Sequence, residues 1–165
     1  MRLFIAIQLS DGIRNSLSAV QAYLKDHGVR ENYTKSENLH LTLAFIGEYP
    51  DPDYALEIVR SVPFVPFSMC IEGFGSFGDL YWCGIGENDS LLSYVKRLRR
   101  ALAEYGVPFD RKKFSPHITL LRRAEYDQHR GLPVVAIPDV SMQVSGVSLM
   151  RSDRAKSGMV YTKVG

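Results

Sequence analysis

The chain repeats itself at an offset of 77 to 78 residues, and that duplication restricts it to folds built from two like halves. Leu3-Phe4-Ile5-Ala6 shifted by 77 falls on Leu80-Tyr81-Trp82-Cys83, a second strand-like apolar run. Ile13, Leu17, Val20 and Leu24 form the stripe of an amphipathic helix; shifted by 78 they become Leu91, Val95, Leu98 and Leu102, a stripe of the same period. Ser10 or Asp11 can cap the first helix and Gly28 can close it, and Gly28-Val29 maps onto Gly106-Val107. Leu39-His40-Leu41-Thr42-Leu43 shifted by 77 gives Pro116-His117-Ile118-Thr119-Leu120. Each half therefore reads strand, helix, short connection, strand, with a His-x-Thr in the last strand. The expected fold is α+β: a strand–helix–strand unit duplicated about a pseudo-two-fold axis. Mainly antiparallel sheets line a central cleft between two lobes, and the helices lie outside.

No linker or low-complexity tract divides the halves, so residues 1–165 read as a single domain of two lobes. A helix is expected over Asp51 to Val62 and extended chain over Phe64 to Phe77. Further strands are expected at Val134 to Ile137, Val140 to Leu149 and Met159 to Val164, and a polar loop at Arg151 to Gly158. The apolar start is too short for a signal-peptide core, and no run approaches the roughly 20 residues of a membrane span. Cys70 and Cys83 are too few for a disulfide framework and read as reduced thiols, so a cytoplasmic protein is expected, a monomer by default.

The formal net charge of +2 conceals an asymmetry. Residues 1–95 carry 6 basic against 12 acidic groups, whereas residues 96–123 carry 9 basic groups against Glu104 and Asp110. A segment with net +7 points to a surface that attracts phosphate.

The two His-x-Thr strands carry the chemistry. Side chains alternate along a strand, so Leu39, Leu41, Leu43 and Phe45 should face a core while His40 and Thr42 face the other way. The same parity places His117 and Thr119 opposite Ile118 and Leu120. A two-fold axis would bring both His-Thr faces to one cleft. Only 4 His and 4 Thr occur in the chain, and two of each fall at matching points of the repeat; His27, at a helix end, and His129, in a polar loop, have no such context.

Paired imidazoles suit metal-free phosphodiester chemistry. With a pKa of about 6.5, one ring can be neutral and accept a proton while the other is charged and donates one. Thr42 and Thr119 would donate hydrogen bonds to non-bridging phosphate oxygens. Catalytic zinc usually takes three protein ligands, a set the sequence does not gather around either motif, and no Gly-x-Ser-x-Gly elbow is present. No metal and no other cofactor is expected.

These motifs, with the opening Met1-Arg2-Leu3-Phe4-Ile5-Ala6-Ile7 and the run Phe114-Ser115-Pro116-His117, closely resemble the 2H phosphoesterase superfamily. Within it, the chain looks like the bacterial and archaeal RNA 2′,3′-cyclic phosphodiesterases, historically called 2′-5′ RNA ligases. The resemblance covers essentially the whole chain. It implies metal-independent hydrolysis of an RNA 2′,3′-cyclic phosphate end to a 2′-phosphomonoester, with RNA ends (tRNA fragments included) or cyclic nucleotides as substrates. It also implies His40 as proton donor to the departing 3′ oxygen and His117 as proton acceptor, a choice the near-equivalent repeats leave open. Alternatives are a non-catalytic RNA-end binder, a 2′-5′ RNA ligase and a 2′-5′ phosphodiesterase. Arg122 stands where the family often has arginine after the second motif, which implies contact with phosphate or RNA. It lies five residues from His117, however, and only a bulge would turn it into the cleft. Phe4, Tyr33, Tyr81 and Trp82 are candidates to stack on a base.

Overall fold

Nine strands and three α-helices make up the computed structural model, which describes residues 1–165. In chain order they are β1 (Arg2–Gln8), α1 (Asp11–Asp26), β2 (Arg30–Tyr33), β3 (His40–Glu48), α2 (Pro52–Ser61) and β4 (Phe67–Phe77). Then follow β5 (Leu80–Ile85), α3 (Asp89–Glu104), β6 (His117–Glu125), β7 (Ser141–Val144), β8 (Ser148–Ala155) and β9 (Gly158–Lys163). Every strand pairing is antiparallel, and two sheets result, ordered β3-β1-β8-β9 and β2-β6-β5-β4-β7. The α+β class read from the sequence is the one observed. No helix is long and apolar enough to cross a membrane.

The helices form where the stripes placed them. Ser10 Oγ accepts the Ile13 N–H at 3.2 Å to start α1, and Asn88 Oδ1 accepts the Leu91 N–H at 3.0 Å to start α3. All eight residues of the two stripes are buried. Each helix crosses over: α1 follows β1 of the first sheet but packs on β2 and β7 of the second, while α3 follows β5 and packs on β3 of the first. α2 lies against α3 and β8.

Several expectations are corrected. Val134 to Ile137 forms no strand, and Val140 to Leu149 is not one strand but holds all of β7 and the first two residues of β8. Arg151 to Gly158 is not a loop: β8 runs to Ala155 and a two-residue turn, Lys156-Ser157, leads directly into β9. The chain after Gly106-Val107 forms no counterpart of β2. Phe45, expected in the core, is 38% exposed.

The reason for Phe45 is a β-bulge. Ile5 pairs with Ala44 and Ala6 with Thr42, so Leu43 is an extra residue in β3. The insertion flips the alternation, burying Leu43 and Ala44 in succession and returning Phe45 to the face of His40 and Thr42. The second half does the same. Tyr81 pairs with Leu121 and Trp82 with Thr119, leaving Leu120 extra, and Leu120 and Leu121 are both buried. The pairing also refines the repeat: Ile5, Ala6, Ile7 and Gln8 correspond to Tyr81, Trp82, Cys83 and Gly84, an offset of 76 in these strands.

Each bulge is held by the helix of the opposite half. Gln21 on α1 donates its Nε2 hydrogens to the carbonyls of Leu120 (2.8 Å) and Thr34 (2.9 Å). Arg99 on α3 donates from Nη2 and Nε to the Leu43 carbonyl at 3.0 and 3.2 Å. Gln21 and Arg99 are themselves equivalent in the repeat, 78 residues apart.

Candidate active site

The bulge in β6, counterpart of the one that exposes Phe45, sets the face on which Arg122 lies. An unbroken strand would point it away from His117, but the extra Leu120 brings it back to the face of His117 and Thr119. Arg122 is exposed there, at the position of the repeat occupied by Phe45 in the first half. One residue on, Arg123 has φ of 53°, a left-handed conformation uncommon for a non-glycine residue, at a second irregularity in the β2–β6 pairing.

Both imidazoles are half-buried, and both are held by one device. His40 Nδ1–H donates to the Asn38 carbonyl and His117 Nδ1–H to the Ser115 carbonyl, each at 2.7 Å and each two residues upstream. A carbonyl only accepts, so Nδ1 must carry the proton and Nε2 is the atom left for chemistry. Thr42 Oγ1 lies 2.8 Å from His40 Nε2, and with that tautomer the hydroxyl donates to the ring.

Aromatic rings back each histidine. Phe4, 2% exposed, and Tyr161 lie 4.9 and 5.2 Å from the His40 ring. Phe77 and Trp82 lie 5.1 and 6.4 Å from that of His117. Phe4, Ala6 and Met150 form a small apolar cluster of their own, apart from the main core. Trp82 has room only because residue 75 is glycine: a Cβ there would sit 2.4 Å from the indole ring.

The two motifs and Arg122 share an electrostatic environment. The His40 pKa is pushed below the ordinary histidine range, chiefly by burial; the Asn38 carbonyl opposes this, and the positive charges of Arg122 and His117 add to it. The free site thus favours a neutral His40. No group of three or more His, Cys, Asp or Glu side chains converges anywhere in the chain with the spacing of a metal site.

Of the other sequence candidates, Tyr81 is buried on the opposite, core side of its sheet against Phe74 and Tyr126. Tyr33 gives its hydroxyl hydrogen to the Val29 carbonyl and carries Lys25 over its ring. Trp82 faces the cleft side with Phe77. His27 donates to the Tyr23 carbonyl at a helix end, and His129 is exposed in a turn. Phe77, Tyr161 and the bulge-holding Gln21 and Arg99 escape sequence reasoning, because nothing local to them announces the strand they meet. The bulges did leave a signal: at Leu43-Ala44 and Leu120-Leu121 a second apolar residue follows where the alternation begun at His40 and His117 calls for a polar one.

Comparison with known proteins agrees with this architecture. The sequence model of the 2′-5′ RNA ligase superfamily matches residues 9–156. The RNA 2′,3′-cyclic phosphodiesterase of Thermotoga maritima is 29% identical, with 98% of this chain and 91% of that protein covered. The RNA 2′,3′-cyclic phosphodiesterase of Thermus thermophilus is 33% identical, over 98% and 87%. The crystal structure of E. coli LigT complexed with 3′-AMP superposes with a TM-score of 0.78 at 27% identity, covering 99% of this chain and 95% of that one.

Proposed function

The chain belongs to the 2′-5′ RNA ligase superfamily, and on that footing we propose that it is an RNA 2′,3′-cyclic phosphodiesterase working without a metal through His40 and His117. The observation that carries this reading is the duplicated device at the two imidazoles. Each has Nδ1 tied to the carbonyl two residues before it, at 2.7 Å, which assigns proton transfer to Nε2; at His40 that atom takes the Thr42 hydroxyl hydrogen while the ring is neutral. Residues 1–165 act in this reading as one two-lobed unit, a cytoplasmic monomer taking RNA ends, tRNA fragments included.

The reaction proceeds by in-line attack. Neutral His117 takes a proton from water through Nε2, and the water oxygen bonds to phosphorus. The bond from phosphorus to the 3′ oxygen breaks, and His40 gives its Nε2 proton to that oxygen, leaving a 3′-hydroxyl and a 2′-phosphomonoester. Thr42 and Thr119 hydroxyls and the Arg122 guanidinium face the non-bridging oxygens, where charge grows in the transition state. Binding of the anionic phosphate supports the donor role of His40. It offsets the positive charge of Arg122, one of the influences that keep His40 neutral in the free site.

The test is direct. Purified protein in chelator is expected to convert a 2′,3′-cyclic nucleotide to the 2′-phosphate, identified by phosphorus NMR. His40→Ala and His117→Ala should each lower the rate by about 10²–10⁴-fold. A 3′-phosphate product, or activity within tenfold of the parent in both variants, would overturn the reading.

A further inference from the structure

Beside the histidines lies a cavity of about 340 Å³, of whose basic lining the chemistry above uses only Arg122. Lys35, Arg122, Arg123, Arg154 and Lys156 line it, and no acidic residue does. None of the five belongs to an ion pair. They converge from three separate parts of the chain: the connection after β2, the end of β6, and the end of β8 with the turn that follows it. Hydrogen bonds tie two of these chain segments together. Lys35 donates to the Ser157 carbonyl of that turn, Asn38 Nδ2 donates to the Met159 carbonyl at 2.9 Å, and Arg123 is locked in a left-handed conformation. Arg154 shares a face of its sheet with Ser152, Met150 and Tyr161, the face on which His40 also lies.

The cavity adjoins the imidazole site through shared walls. Tyr161 lines it and packs edge-on against the His40 ring. Asn38 lines it and holds His40 Nδ1 through its carbonyl. Arg122 lines it while its charge acts on His40. Five cations assembled without a counter-charge repel one another, and an anion of matching size offsets that repulsion. We propose that this cavity receives the phosphodiester joining the terminal nucleotide to its neighbour, so that the site selects an RNA strand over a free cyclic nucleotide. The inference rests on the phosphodiesterase reading for its substrate, but its binding arm can be tested apart from turnover.

Three substrates separate the possibilities: a 2′,3′-cyclic mononucleotide, the same compound with a 5′-phosphate, and a trinucleotide ending in the cyclic phosphate. The 5′-phosphate occupies the place of the internucleotide phosphate. It should raise kcat/KM by about tenfold, mainly through KM, and the trinucleotide should show at least the same gain. The double variant Arg154→Gln, Lys156→Gln, altered only at exposed positions, should lose that gain while the plain mononucleotide reacts at its parental rate. The salt slope of the trinucleotide should fall by about 0.7 for each phosphate that the variant no longer neutralises. Equal kcat/KM for plain and 5′-phosphorylated mononucleotides, or a gain that survives in the double variant, would overturn the proposal. If nothing is turned over, the phosphodiesterase reading fails, and calorimetry with unreactive ligands decides the cavity alone. A nucleoside 2′,5′-bisphosphate should bind about tenfold more tightly than the 2′-phosphate in the parent and not in the variant, and equal affinities in the parent would refute it.

Discussion

Replacing Arg99 by methionine should destabilise the protein more than replacing Gln21 by methionine, although the two residues hold equivalent bulges. Methionine keeps most of the arginine stem and removes only the guanidinium. That group donates twice to the Leu43 carbonyl, at 3.0 and 3.2 Å, and once to the exposed Lys112 carbonyl at 2.7 Å. It also lies over the rings of Phe109 and Phe114. The Lys112 carbonyl regains water on substitution, so its loss costs little. Leu43 is wholly buried, and its carbonyl loses a charged donor. A hydrogen bond from a charged group contributes about 1.5–3 kcal/mol, so with the ring contacts the expected loss is about 2–3 kcal/mol. Gln21 is neutral, and the Leu120 carbonyl that it holds also accepts the Thr34 N–H at 2.9 Å. Gln21→Met should therefore cost only about 1–2 kcal/mol. At roughly 2–4 °C per kcal/mol for a chain of this size, Arg99→Met lowers Tm by about 4–12 °C. Calorimetry and urea titration measure both variants. A drop below about 2 °C for Arg99→Met, or a larger loss for Gln21→Met, would show that the bulges do not depend on these donors.

Arg122→Met removes a charge that disfavours protonated His40, so the His40 titration midpoint should move upward; a proton NMR titration of the ring hydrogens reads it, and an unmoved midpoint would separate Arg122 from the site. Because folding lowers the His40 pKa, the unfolded chain takes up a proton that the folded site resists as pH falls below about 6.5. That part of the stability is complete above pH about 6.5 and is lost as pH drops through the lower, folded value; His40→Gln should flatten this limb in denaturation measured against pH. Gly75→Ala places a methyl group against the indole of Trp82, the only tryptophan in the chain, so its fluorescence should shift and stability should fall by about 1–3 kcal/mol; an unchanged emission spectrum would contradict the contact. Burial pushes the Cys83 thiol up to about 12, so it should resist alkylation at pH 8 until the protein is unfolded.

Periodicity made the two helices, the two histidine strands and their duplication legible, because each repeats a spacing that burial then enforces. A bulge has no period. It is one residue out of step, and it moved Phe45 out of the core and turned Arg122 toward His117. Charge counting along the chain has the same limit: it measures proximity in sequence, not in space. Of the nine basic groups in residues 96–123, Arg99 is consumed in holding Leu43, Arg97 donates to the Pro63 carbonyl and Arg111 stacks over Phe109. Only Arg122 and Arg123 reach the basic cavity, where they meet Lys35, Arg154 and Lys156 from segments with no marked excess of basic residues. The clustering that matters is made by folding, which sets Lys35 beside a turn more than a hundred positions away.

The path of the backbone has a mechanical consequence. It passes from one sheet to the other four times, between β1 and β2, β2 and β3, β3 and β4, and β7 and β8, and α1 and α3 each brace the sheet opposite their own strand. A jaw that swings needs a narrow waist about which to pivot, and a chain laced in this way has none. The relative placement of the two histidine strands is accordingly set by the packing of both sheets and their helices, with no hinge between them.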